Sequence, residues 1–212
     1  MNADAVYAAM PEAPAGLGAP DGASRRKLTV RDVWRMIDAE VLAEDDRVEL
    51  WGGELIEMSA KQVRHEWIKN ALAEYLIVHL YKRFQVAVES TIYLSRTVFV
   101  EPDLSIWKRG LFSTDVRGPD LLLAIEVADT SYGTDMTTKP TLYAAHDAPL
   151  LWIVDAREGR TPEIIARTEP TDVGYANERR FGLEDTVTLP FAPDLSFTLR
   201  DVLYADEDSI EP

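Results

Sequence analysis

Residues 120–140, "DLLLAIEVADTSYGTDMTTKP", decide how the chain is read. From Leu121 to Val127 every residue is apolar except Glu126, which is the pattern of a strand covered on both faces rather than one half-exposed to water. An ionised carboxylate in such a strand is costly unless it is paired, hydrogen-bonded or metal-bound. Glu126 therefore needs a partner, either an amide or arginine of the core or the members of a site. Past the strand, a helix is expected around residues 137–147, with Asp135 as N-cap, because Pro140 is tolerated best in a first turn. Lys139 then falls at the start of that helix, either as a solvated surface residue or as a group reaching back to Glu126.

A second acid lies one strand earlier. In "TVFVEPDLSIW", residues 97–107, Pro102-Asp103 interrupts an apolar run. Proline cannot donate to a sheet ladder, so Asp103 is expected at an edge, a bulge, a strand end or a Pro-Asp turn. On adjacent strands Asp103 and Glu126 would repel, and one would hold a proton unless a cation lay between them. An oxygen-only ligand pair suits Mg²⁺ or Mn²⁺. A lysine ammonium beside it would orient or deprotonate a water, or stabilise charge on a phosphate.

Upstream, Thr29 and Asp32 read as a capping box for a short helix, and "RVELWGGELIEMS" as a hairpin turning on Gly52-Gly53. Residues 63–84 carry Ile68, Leu72, Leu76 and Leu80 on one helical stripe. Strand-like runs follow at 85–95, 97–107 and 120–128, then the helix, then the apolar strand "LLWIVD" at 150–155 and further short strands. The order is helix, three strands, helix, strand, an α/β fold with a mixed sheet. Glu49 and Glu57 alternate on the hairpin and read as exposed charges. Glu54 either decorates the hairpin or faces a site, His65 is a core or a site histidine, and Trp51, Trp107 and Trp152 read as core.

The 212 residues, 46% hydrophobic, suffice for one domain. Residues 1–27, rich in Ala, Pro and Gly, read as a disordered tail, leaving 28–212 as that domain. With no cysteine and three histidines, disulfides, thiolate-bound metals and a thiol nucleophile are excluded, and any metal would be held by oxygen. The net charge of −15 opposes non-specific binding to nucleic acid, so such a role must rest on a local site. No apolar run nears the roughly 20 residues of a membrane helix and no signal peptide is visible, so no membrane partner and a soluble, cytoplasmic protein are expected.

The series "VELWGGELIEMS", His65, "EPDLSIW", "PDLLLAIEVADTS", Asp135 with Lys139 and Tyr143, and "LLWIVD" resembles the PD-(D/E)XK nuclease superfamily, and within it the Uma-two family of restriction-endonuclease-like proteins. The resemblance implies a restriction endonuclease-like mixed sheet flanked by helices in the order α-β-β-β-α-β, with an N-terminal helix and hairpin and extra C-terminal strands. It implies an endonuclease that hydrolyses DNA, with Asp103 and Glu126 as ligands of Mg²⁺ (or Mn²⁺), Lys139 as the catalytic lysine, and Glu54 and His65 as further site residues. Ala128 stands where the superfamily motif has its lysine, so that role passes to Lys139. Cutting both strands of a duplex suits a homodimer. Ala128, Pro140 and the negative charge also suit a second reading, a catalytically inactive nuclease-fold protein acting as a binding or assembly module.

Overall fold

The computed structural model describes residues 26–43 and 45–204, so the expected tail lies almost wholly outside the described residues. Its centre is a six-stranded mixed sheet in the order β10-β9-β8-β7-β6-β3. These strands are β3 (Phe84–Val88), β6 (Leu104–Lys108), β7 (Leu121–Ala128), β8 (Leu150–Asp155), β9 (Glu163–Thr171) and β10 (Gly174–Phe181). The β7 and β8 strands are parallel, joined by helix α3 (Tyr132–Ala144), and the remaining pairs are antiparallel.

The uniform hydrophobicity of β7 and β8 has the cause read from sequence. Leu123, Ile125 and Val127 enter one core with Trp152 and Val154, while Ala124 and Ala128 enter another with Leu151 and Ile153. The first core is covered by α2 (Val63–Leu80), the second by α3 and a smaller sheet. Side chains alternate across a strand, so Glu126 lies between Ala124 and Ala128 on the α3 side. Ile68, Leu72, Leu76 and Leu80 of α2 are fully buried, each contributing about 1.5–3 kcal/mol by leaving water. Toward the N-terminus of α2 the buried positions become Lys69 and His65, so the stripe turns polar where the helix begins.

The smaller sheet has the order β2-β1-β5-β4, with β1 (Val48–Trp51), β2 (Glu54–Glu57), β4 (Ile92–Ser95) and β5 (Val98–Val100). The hairpin forms as expected, with Gly52 and Gly53 at φ 55° and 85°. Helix α1 (Val30–Asp38), capped reciprocally by Thr29 and Asp32, packs Val30 and Val33 against Leu50 and Phe99. A two-stranded ribbon of β11 (Val187–Leu189) and β12 (Ala192–Phe197) and helix α4 (Leu199–Leu203) close the first core.

Three expectations change. The runs 85–95 and 97–107 are each two strands, which break at residues 89–91 and 101–103 and pass from one sheet to the other. The order helix, three strands, helix, strand survives in the main sheet as α2, β3, β6, β7, α3, β8. Helix α3 starts at Tyr132 with Ser131 as N-cap, so Asp135 is not the cap and Pro140 stands well inside the helix. Glu49 is buried, 1% exposed, its carboxylate taken up by the Glu101 amide, the Trp51 indole and Lys139.

Candidate active site

The carboxylate of Glu126 is satisfied from α3. The Tyr143 hydroxyl donates to Oε1 at 2.8 Å, and Lys139 Nζ lies 2.8 Å from Oε2. Lys139 and Tyr143 are four residues apart and share a helix face; Asp135, one turn before Lys139, lies on it too, with Oδ1 3.8 Å from Nζ. Ser131 donates a short hydrogen bond to Asp135 Oδ2. Glu49 approaches the same ammonium from β1, with Oε1 at 3.5 Å, while accepting from the Glu101 amide and the Trp51 indole.

One buried ammonium thus faces three buried carboxylates. Burial is the largest force on each group. It pushes the Glu126 carboxyl well up against the pull of Lys139, with Asp135, Asp103 and Glu49 reinforcing it. It pushes Asp135 up for the same reason. Burial would strip the Lys139 proton, but Glu126, Glu49 and Asp135 together outweigh it and hold the ammonium charged to higher pH than a free lysine. The Glu126 and Lys139 shifts oppose each other, since a proton on Glu126 removes one reason for Lys139 to keep its own. Lys139 is the charged partner, because two further acids stand by it and the contacts at both Glu126 oxygens are donors.

Asp103 sits just before β6, where the chain leaves the smaller sheet. Its Oδ2 accepts from the Val127 amide at 2.8 Å and from His65 Nε2 at 3.1 Å, and Lys61 Nζ lies 3.4 Å from Oδ1. Burial would raise this carboxyl, but the His65 and Val127 bonds and Lys61 hold it below the ordinary aspartate range. Beside it, Lys61 and Lys69 both pair with Glu89, and Lys69 with Glu66 at 2.7 Å. Asp103, Glu126, Lys139, His65, Glu49 and Lys61 all line one pocket of about 180 Å³.

The structure therefore gathers Asp103, Glu126, Lys139 and His65, and leaves out Glu54. That side chain is exposed on β2 and pairs with Lys27 at 2.6 Å, away from the pocket. Glu49, set aside as an exposed charge, enters the site buried, and Glu57, exposed as expected, also lines the pocket. Lys61 and Glu101 also line it without a sequence signal, since only the meeting of the two sheets brings them there. Among the described residues no three acids or histidines are arranged as a ready set of metal ligands. Lys139 lies between Glu126 and Glu49 instead.

A mixed sheet with this order and these helices defines a nuclease-like α/β protein. The Uma2 family, described as "Putative restriction endonuclease", matches residues 35–200, and the chain belongs to that family. Among solved structures it is similar to that of a "putative nuclease belonging to DUF820" from Anabaena variabilis ATCC 29413, with a TM-score of 0.64. That match covers 83% of this chain and 97% of the other at 15% identity, a likeness of fold. No curated protein matches by sequence. No helix among the described residues is long and apolar enough to cross a membrane.

Proposed function

We propose that this protein is a metal-dependent endonuclease that hydrolyses phosphodiester bonds of DNA, Asp103 and Glu126 holding Mg²⁺ or Mn²⁺ and Lys139 assisting the reaction. The supporting observation is the pair of buried carboxylates on one pocket, with a charged lysine in contact with one of them. Restriction-endonuclease-like families generally use divalent metals. The donor set fits such an ion. Both acids offer only oxygen, and among the described residues Asp103 Oδ1 has no closer partner than Lys61 at 3.4 Å. Glu126, Glu49 and Asp135 around one ammonium also leave an excess of negative charge that a dication would offset.

When bound, the metal would lower the pKa of a water and neutralise charge on the phosphate. The protein's own groups have separable roles. The His65 and Val127 bonds keep Asp103 ionised and oriented, and Tyr143 fixes the rotation of Glu126. Lys139 keeps its proton, so it acts as a charged donor toward developing negative charge and not as the base that deprotonates water. In solution two copies would act as a homodimer, one site per strand of a duplex.

Purified protein with plasmid, single-stranded and branched DNA should cut at least one substrate with Mg²⁺ or Mn²⁺ and none with chelator. Calorimetry should find a Mn²⁺ site that Glu126→Gln removes. The ammonium already seated on Glu126 Oε2 favours a second reading, a binding or assembly module without hydrolytic activity. Absence of both cleavage and Mn²⁺ binding would establish it over the first.

A further inference from the structure

A second concavity, about 820 Å³, lies between α1 and β4, and it shares no lining residue with the carboxylate pocket. Three arginines, Arg31, Arg96 and Arg117, and two aromatic rings, Trp34 and Tyr93, line it, with no aspartate or glutamate among the lining residues. In a chain of net charge −15 the charged residues lining this groove are all cationic. Among the described residues none of the three guanidiniums is paired with a carboxylate. Of the acids beside the lining residues in sequence, Asp32 accepts two hydrogen bonds from Thr29 and has Arg35 at 3.9 Å, and Asp120 accepts from the Arg117 amide. Arg117 is held in place by donating to the Thr114 and Val116 carbonyls, each at 2.8 Å. The Val30 amide donates to the Arg96 carbonyl at 2.9 Å and ties α1 to the end of β4. Trp34 is 50% exposed although Tyr93 meets it edge-on, with ring centroids 5.7 Å apart and planes at 75°.

We infer that this groove is a docking site for a single nucleic-acid strand, which Trp34 holds by stacking on an unpaired base while Arg31, Arg96 and Arg117 take the adjoining phosphates. Guanidiniums match phosphate oxygens in a planar, two-point geometry, and a half-open indole offers its face to any base. A site with both features selects an anion that also carries flat rings. An acidic peptide or a simple polyphosphate supplies only the charge. The groove lies at the edge of the smaller sheet, where β4 is the last strand and the turn at Ser113–Asp115 packs beside it. The inference rests on the nucleic-acid part of the proposed function and is independent of hydrolysis.

The test is fluorescence anisotropy of the whole protein with labelled oligothymidylate, in chelator so that nothing is cut. The expected result is saturable binding, tighter than to the matching duplex. Affinity should fall with salt at a log–log slope of about −2, from roughly 0.7 per neutralised phosphate. Trp34→Ala should weaken binding on the order of tenfold, Arg31→Glu with Arg96→Glu should abolish it, and the charge-matched control Lys82→Glu, an exposed residue outside both pockets, should leave it intact. All three groove positions are exposed or half-exposed, and a thermal melt checks that each variant is folded. The inference is overturned if the wild type does not bind, if the groove variants bind as the wild type does, or if polyglutamate or inorganic triphosphate binds as tightly as the oligonucleotide. Cleavage lost with this binding kept would sink hydrolysis alone. Cleavage kept with binding unchanged in the groove variants would sink the groove alone.

Discussion

Lys139 is the residue on which the buried charges depend. Its Nζ stands within 4 Å of Glu126, Glu49 and Asp135, all of them buried. Lys139→Met removes the one cation that pairs with these acids among the described residues and should cost about 3–5 kcal/mol near neutral pH, read from urea unfolding. A loss under about 1 kcal/mol would mean that the acids are not held by the ammonium. Glu126 carries the opposite liability. Its carboxyl is raised by burial above the ordinary 4.5, so between that value and its folded one the native state binds more protons than the unfolded chain. Its contribution to stability is therefore full below about pH 4.5 and is lost as pH rises through the folded value. Asp103 runs the other way. It is held below its ordinary 3.8, so it stabilises above that pH and fails as pH falls through its folded value. In chelator, wild type should lose stability relative to Glu126→Gln as pH is raised from about 4 to about 8. A difference constant across that range would argue against a carboxyl destabilised by burial.

Among the elements, α3 holds the site residues from one face, and its far end is fixed by a close backbone contact. Gly118, in the short 3-10 turn before β7, lies against the carbonyl of His146 just beyond α3, where a Cβ would fall 1.6 Å from that oxygen. Gly118→Ala should displace the turn or the helix end and cost at least about 3 kcal/mol, measured by thermal melting; a near-neutral change would show that this end of the helix is free to shift. Much of the element pattern was legible in sequence for local reasons. A capping box, a Gly-Gly turn and two strands apolar on both faces leave their own signatures. What stayed hidden depended on tertiary partners. The strand break at residues 89–91 carries no glycine, since Glu89 itself takes φ 48°, and no local signal says which sheet the next strand joins. Glu49 alternates like an exposed strand acid, and the partners that make it a buried one, the Glu101 amide and Lys139, come from distant parts of the chain. Glu54 shares the Glu49 face of the hairpin, opposite Trp51, but stands at its turn end and outside the pocket, a displacement along the strand that no local signal reveals. Of the site, the acids on core strands were readable from the energetic cost of burying them, and Lys61 and Glu101 were not.

At the scale of the molecule, the site exists only where two sheets and two helices meet. Asp103 lies at the crossing from the smaller sheet to the larger, Glu126 comes from the larger, Glu49 from the smaller, and Lys139 from α3. If the protein works on duplex DNA as a pair, sedimentation at micromolar concentration should give a dimer; a monomer would restrict it to one strand at a time. The elements around the site are not equally anchored, and β4 and β5 of the smaller sheet enter the second core. The hairpin and α1 rest on a small cluster, Val30, Val33, Leu50 and Phe99, whereas the main sheet is held by two much larger cores. Local opening follows the least buried apolar surface. Under mild denaturation the hairpin should therefore lift first and carry Glu49 out of reach of Lys139 while the six-stranded sheet is still folded. Metal binding and any cleavage would then fail at a lower urea concentration than the loss of circular dichroism. The protein would have a window in which it is folded yet silent.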